Sequence, residues 1–418
     1  MNPTRRSIMK LGLGGSTLLA CGPHVPTFLA RSALAVDPNR AGSSKGRVLV
    51  ILQLDGGNDG LNTVVPYRDD AYRRLRPRLR LDEKEVRRVD DRVGLHPSLA
   101  GFSTLLESGR LAIVQGVGYP NPTRSHFESM ATWQSARLDP GANATGWLAR
   151  ALDARAGGVE GDSPAIHVDD SPTPLALVGG QCRVPSVVDL DRLRRRIGPP
   201  GADAGEHREA LDRLGRQRRG GPGSLLEFVE RSATITYASS ARLQAVALGD
   251  DPGRAYPESH GLAGRLKLIA RLIKAGLTTS IYYAQVGGFD THAGQAESHA
   301  TLLREVGDSL KAFLDDLKSS GEADRVLVLA FSEFGRRPFE NASGGTDHGT
   351  AGPAFLLGDR VRAGLHGAYP DLADLEDGDP RHAVDFRRVY ASVLEGWLNT
   401  PSLPILGQPF EPLPVIRA

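Results

Sequence analysis

The 418-residue sequence contains only two cysteines, Cys21 and Cys182. No disulfide framework or thiolate metal site is therefore available, and any metal must be held by carboxylates and imidazoles. An excess of either charge is also missing, with 51 basic against 49 acidic side chains. So balanced a chain carries no field that would gather nucleic acid. Long apolar runs are absent too: the stretch from Ile8 to Ala20 is too short and too rich in glycine for a membrane span. Glycine (49) and proline (28) are plentiful. With apolar residues still regularly spaced, they indicate many tight loops on a regular scaffold rather than disorder.

The start of the chain reads as an address. Arg5 and Arg6 precede the run Ile8 to Ala20, whose one charge is Lys10, and Ala33-Leu34-Ala35 offers a small-x-small cleavage site. This is the pattern of a twin-arginine signal over residues 1–35, delivering the protein to the periplasm or the exterior through the twin-arginine machinery. Leu18-Leu19-Ala20-Cys21 resembles a lipobox, so lipid attachment at Cys21 is the alternative.

From Val36 onward, short apolar runs alternate with amphipathic stretches, which predicts an α/β domain over 36–418 with a largely parallel sheet. Runs ending at Leu54, Val114, Val286 and Phe331 are the expected strands, and Pro353 to Gly358 is a further short run that fits the same sheet. Tyr67 to Asp91, highly charged and broken by Pro77, is expected at the surface. Pro164 to Gly180 reads as a hairpin. It falls within an expected cap-like insertion over about 153–223, whose basic runs Arg192 to Arg196 and Arg216 to Gly221 suit a solvated face.

Three of the expected strands end on an acid: Asp55 before a glycine turn, Asp290 after Gly287-Gly288, and Glu333. His292 follows Asp290 by two, and Asp347 and His348 lie between glycines in GTDHG. Ligands gather beyond the carboxyl ends of strands in open α/β sheets. Oxygen and nitrogen donors there suit one or two divalent cations, with Zn, Mn, Ca and Mg all open. Thr123 or Ser125, flanked by Arg124 and His126, falls at a helix start, where a hydroxyl is either an N-cap or a nucleophile facing an anion.

Taken in order, LDGGNDGLNTVVPY, NPTRSHFESM, GGFDTHAGQ, FSEFGRR and GTDHGTAGPAFLLG resemble the domain of unknown function 1501 family across almost the whole mature chain. That family is similar in fold to the alkaline phosphatase and sulfatase superfamily. The resemblance implies a three-layer sandwich around a largely parallel sheet. It implies that Asp55 is a metal ligand, Ser125 the nucleophile or its equivalent, and Asp290 with His292 a ligand pair. Glu333 would replace the Asp of a second pair, with Phe334 standing where an imidazole is expected. His348, followed by Thr350 and Pro353, is similar to a last metal-binding histidine, and Asp347 adjoins it. Arg124 or His126 would bind the oxyanion.

No Cys-x-Pro-x-Arg motif occurs, so a phosphatase-like mechanism is favoured over the standard sulfatase one. The expected function is an exported metal-dependent hydrolase of phosphate (or sulfate) esters acting on a small anionic substrate. The competing reading is a non-catalytic exported binding or assembly protein on the same fold, which Phe334 and the basic insertion favour.

Overall fold

Seven consecutive buried residues, Val48–Leu54, form an interior strand of the sheet. Both its faces are covered, which is why the segment reads as continuous rather than alternating hydrophobicity. The computed structural model describes residues 46–155, 162–181, 184–187, 246 and 255–417. The expected export signal, both cysteines and the basic runs lie outside the described residues. The chain divides into two units, and the sheet with its helices belongs to the one formed by Lys45–Val159, Pro164–Val187 and Pro252–Ala418.

In chain order the first elements are β1 (Val48–Leu54), α1 (Gly60–Thr63), α2 (Asp70–Leu75), α3 (Ala100–Glu107), β2 (Leu111–Gly118), α4 (His126–Ser135) and α5 (Trp147–Arg155). Then come β3 (Ala165–His167), α6 (Gly261–Lys274), β4 (Ile281–Val286), α7 (Gln295–Ser319) and β5 (Val326–Phe331). The last are β6 (Arg336–Glu340), β7 (Thr346–His348), β8 (Gly352–Leu357), β9 (Gly364–His366), β10 (Val384–Asp385) and α8 (Phe386–Ala391).

The main sheet runs β9-β2-β8-β5-β1-β4-β3, with β10 also on β2. Every pairing is parallel except those of β8, which is antiparallel to both β2 and β5. The largely parallel α/β architecture expected from the alternation is thus present, and its one reversed strand has a consequence for the site. A parallel strand delivers to the carboxyl edge the residues that follow it, whereas an antiparallel strand delivers those that precede it. His348, just before β8, therefore reaches the same edge as Asp55, Asp290 and Glu333.

Helices cover both faces. On one, Leu49, Ile51, Leu327 and Leu329 share a core with Trp133 of α4, Trp147 of α5 and Phe386 and Tyr390 of α8. Trp133 stacks on both Phe331 and Phe386. On the other, α3 packs against α7 and α7 against α6, with the Phe102 and Phe355 rings edge to face. Gly101 makes the first contact close: a Cβ there would fall 2.2 Å from the carbonyl oxygen of Gly307.

Two expectations are corrected. Pro164 to Gly180 is not a hairpin: β3 pairs in parallel with β4, and the chain then enters a 3-10 turn at Leu175–Leu177. The short run AIH is satisfied by the open edge of β4, so no return strand is needed. The stretch from Tyr67 to Asp91 is not all surface, because Tyr67, Tyr72 and Arg76 have no exposed area. Arg76 is drawn in by Asp59, whose buried carboxylate lies 2.6 Å from Nη1.

Candidate metal centre

Three imidazoles meet at one carboxylate oxygen. Oδ1 of Asp290 lies 3.0 Å from Nε2 of His292, 3.0 Å from Nε2 of His348 and 3.5 Å from Nε2 of His126. The Nε2 atoms of His292 and His348 are themselves 2.9 Å apart. In each ring the other nitrogen faces an oxygen acceptor. Nδ1 of His126 is 2.8 Å from Oε1 of Glu333, Nδ1 of His292 is 3.2 Å from Oδ1 of Asp347, and Nδ1 of His348 is 2.8 Å from the carbonyl of Arg124. An N–H at Nδ1 satisfies each of these oxygens, which leaves the lone pair of a neutral ring on Nε2. The three lone pairs are thus directed toward one carboxylate, an arrangement that calls for a cation between them.

The spacing of three of these groups fits one. Ligands around an ion with bonds of about 2.0 Å stand roughly 3.3 Å from one another in a tetrahedron. Nε2 of His126 is buried and has no hydrogen-bond partner, as a nitrogen reserved for an ion would. His126, Asp290 and His348 offer ligand atoms all within 4.8 Å of one another. The side chains of Asp290 and His292 are about half exposed, so the centre is open to solvent.

Local sequence explains each position. His126 opens α4, whose N-cap is Ser125. Asp290 and His292 fill the turn between β4 and α7, and Asp347 and His348 belong to β7. Burial alone pushes the Asp290 carboxyl up, but the hydrogen bond and the charge of Arg336 outweigh it and hold the group at about 2. The hydrogen bond to Glu333 raises His126 above the ordinary histidine value against the opposing effect of burial. Asp347 is lowered, first by a hydrogen bond from Asn341. Asp55 is raised by burial and by the nearby Glu333 charge, although Gln53 donates to its Oδ1 at 3.2 Å.

The residues singled out from sequence therefore occupy different stations. Asp290, His292 and His348 converge with His126. Glu333 stands behind His126: fully buried, it also accepts from the Gly56 amide at 2.9 Å and the Ser332 hydroxyl at 3.0 Å. Asp347 stands behind His292. Asp55 lies to the side, close enough for its charge to be felt by Glu333, His126 and Asp290. The Ser125 hydroxyl caps α4, accepting from the Glu128 amide at 3.5 Å. The Arg124 guanidinium turns to Asp379, 2.5 Å away in the hairpin of Leu375–Glu376 and Asp379–Pro380. Phe334 is buried, its ring centroid 4.9 Å from that of His126 and 4.8 Å from that of His348.

Sequence reasoning did not find Gln53, Asp59, Arg76 or Arg336 as supports. Asp59 accepts from Arg76 and Gln295 and caps α1, which fixes the glycine turn after β1. A strand-interior glutamine and arginines in charged stretches carry no period or motif that would have marked them.

Fold and site together define an α/β protein with a histidine and aspartate metal-type cluster at the carboxyl edge of its sheet. The family described as Protein of unknown function (DUF1501) matches residues 46–394, and the chain belongs to that family. Comparison with curated proteins gives no match. Among solved structures the chain is similar to PsFucS1 sulfatase from Pseudoalteromonas sp., at 12% identity, covering 92% of this chain and 72% of that one, with a TM-score of 0.39. It is similar to alkaline phosphatase from the Antarctic bacterium TAB5, at 12% identity, 75% and 92% coverage and a TM-score of 0.31. A third is the C-terminal periplasmic domain of EcEptC from Escherichia coli in complex with Zn, at 9% identity, 76% and 74% coverage and a TM-score of 0.38.

Proposed function

We propose that the protein is a metal-dependent hydrolase of phosphate, or secondarily sulfate, esters, exported by the twin-arginine route as one α/β domain with a cap-like insertion. The observation that carries this reading is the convergence of three imidazole Nε2 atoms on Asp290 Oδ1. His126, His292, His348 and Asp290 would hold one divalent ion, and a nitrogen-rich donor set favours Zn over Ca or Mg. Bound there, the ion would act as a Lewis acid on an ester oxygen. Glu333 and Asp347 orient His126 and His292 rather than bind the ion themselves.

Ser125 is the candidate nucleophile. Its hydroxyl sits at the positive end of α4, where free N–H groups favour an anionic ester. Oγ would form the bond to phosphorus as the ester P–O bond breaks, the hydroxyl proton ending on the departing alcohol. Water would then release phosphate. The pairing of Arg124 with Asp379 leaves the oxyanion to the free amides at the start of α4.

A second reading, a non-catalytic binding or assembly protein on the same fold, is favoured by the engagement of both Ser125 and Arg124 in structural contacts. Assay of the mature protein on aryl phosphate and aryl sulfate panels with added Zn, Mn or Ca separates the two. Turnover abolished by His348→Ala and by Ser125→Ala supports the hydrolase. Turnover equal in wild type and Ser125→Ala removes the nucleophile, and no turnover with one tightly held ion supports the second reading.

A further inference from the structure

Arg336 opens β6, three residues after Glu333, with 1% of its surface exposed. Its one ion pair among the described residues is with Asp290, Nη2 to Oδ1 at 2.6 Å. The rest of the guanidinium is spread over backbone. Nε donates to the Gly57 carbonyl at 2.8 Å, Nη1 to that of Thr346 at 2.8 Å, and Nη2 to those of Gly56 at 2.5 Å and Phe289 at 3.0 Å. These carbonyls belong to three turns or their edges far apart in sequence, Thr346 opening β7 where its hairpin turn closes, and each adjoins residues of the centre: Asp55 precedes Gly56, Asp290 follows Phe289, and Asp347 and His348 follow Thr346. The turns are also joined directly, with the Phe289 amide 3.2 Å from the Asp55 carbonyl, the Thr346 amide 3.2 Å from that of Thr291 and the Asn341 side-chain amide 2.9 Å from that of His292.

We propose that Arg336 is the positioning residue of the metal centre, its guanidinium fixing Asp290 Oδ1 and tying the three strand-end turns into the one arrangement that receives a divalent cation. Arginine donates only and cannot itself be a ligand. Its planar fork reaches carbonyls on several sides at once, which the single ammonium of lysine cannot. By taking one lone pair of Oδ1 it also sets which direction of that oxygen is left for the ion. The inference rests on the metal-centre reading, and its test separates the two.

Full-length mature protein, Arg336→Lys and Arg336→Met are titrated with Zn²⁺ by calorimetry at a temperature where near-ultraviolet circular dichroism shows each folded. Backbone hydrogen exchange is followed alongside in the turns at 55–58, 288–292 and 345–348. The expected result is a Zn²⁺ affinity lower by about 10- to 100-fold in Arg336→Lys. Exchange should rise in all three turns together while β1, β5 and α7 keep their protection. Wild-type affinity in Arg336→Lys overturns the proposal, as does an exchange change confined to β6 or spread over the whole sheet. A wild type that takes up no Zn²⁺ sinks the metal-centre reading instead, and concerted exchange in the three turns then still decides whether Arg336 ties them.

Discussion

Nδ1 of His126 lies 2.8 Å from Oε1 of Glu333, a carboxylate with no exposed surface. This contact fixes both the ring orientation and the tautomer of a histidine whose Nε2 faces the cluster. Glu333→Gln keeps the shape and removes the charge. Carboxylates bonded to metal-binding imidazoles are worth about 10- to 100-fold in affinity, and a loss of that size is expected on Zn²⁺ titration. In metal-free protein the same substitution should lower the His126 pKa, because Glu333 is what raises it. Unchanged proton titration of His126 by NMR would remove Glu333 from this role.

Ser125 is asked to do two things, and two substitutions pull them apart. Ser125→Ala loses the cap of α4 and is expected to cost about 1 kcal/mol in chemical denaturation, whereas Ser125→Gly costs only a few tenths. Both remove the hydroxyl. A nucleophilic role requires that both abolish aryl phosphate turnover equally. If activity instead follows the stability loss, with the glycine variant nearly wild type, the hydroxyl acts only as a cap.

The strands are legible in the sequence because β1, β5 and β8 are continuous apolar runs with clear stops, and α7 because its apolar face persists along the whole helix. The edge carrying Asp55, Asp290, Glu333 and His348 can be read from the repeated acid after a strand. Which groups meet and which stand behind cannot. The sequence offers Arg124 or His126 for the oxyanion, and only the fold turns the His126 ring toward Asp290. Arg336 carries no such mark, standing three residues after Glu333 in FSEFGRR. Its true partners are turns 46 residues or more away on the one side, brought near by parallel pairing, and Thr346 across a hairpin on the other.

The helical layer offers a perturbation that should spare the centre. A methyl group on Gly101 would meet the Gly307 carbonyl at 2.2 Å, a contact between α3 and α7 that neither backbone can relieve by rotating a side chain. Gly101→Ala is expected to destabilise by about 1–3 kcal/mol, the range of an overpacked core. Zn²⁺ affinity measured well below the melting transition should stay at the wild-type value. A matched loss of affinity would mean that the centre reports global packing, and affinity changes elsewhere would then need that correction.

Acid should weaken the fold before it reaches the carboxylates. Burial pushes His299 down to about 4 and His96 down to about 4 from an ordinary 6.5, and the two rings stand 6.0 Å apart. Both are neutral in the folded protein and take up protons when it unfolds at mildly acid pH. Their contribution is fully present above about pH 6.5 and is lost as pH falls toward 4, at up to roughly 1.4 kcal/mol per pH unit for each. His126, pushed up by Glu333, works in the opposite sense and offsets part of this loss. Asp59 follows the two histidines in sign at lower pH: burial raises its carboxyl, but the Arg76 charge and hydrogen bond outweigh that and hold it down. The urea midpoint should therefore drop from pH 7 to pH 5. His299→Gln retains a donor for the Asn58 side-chain oxygen, 3.0 Å from Nε2, and removes one titrating group. It should flatten the drop, and a slope as steep as wild type would show that His299 does not titrate across this range.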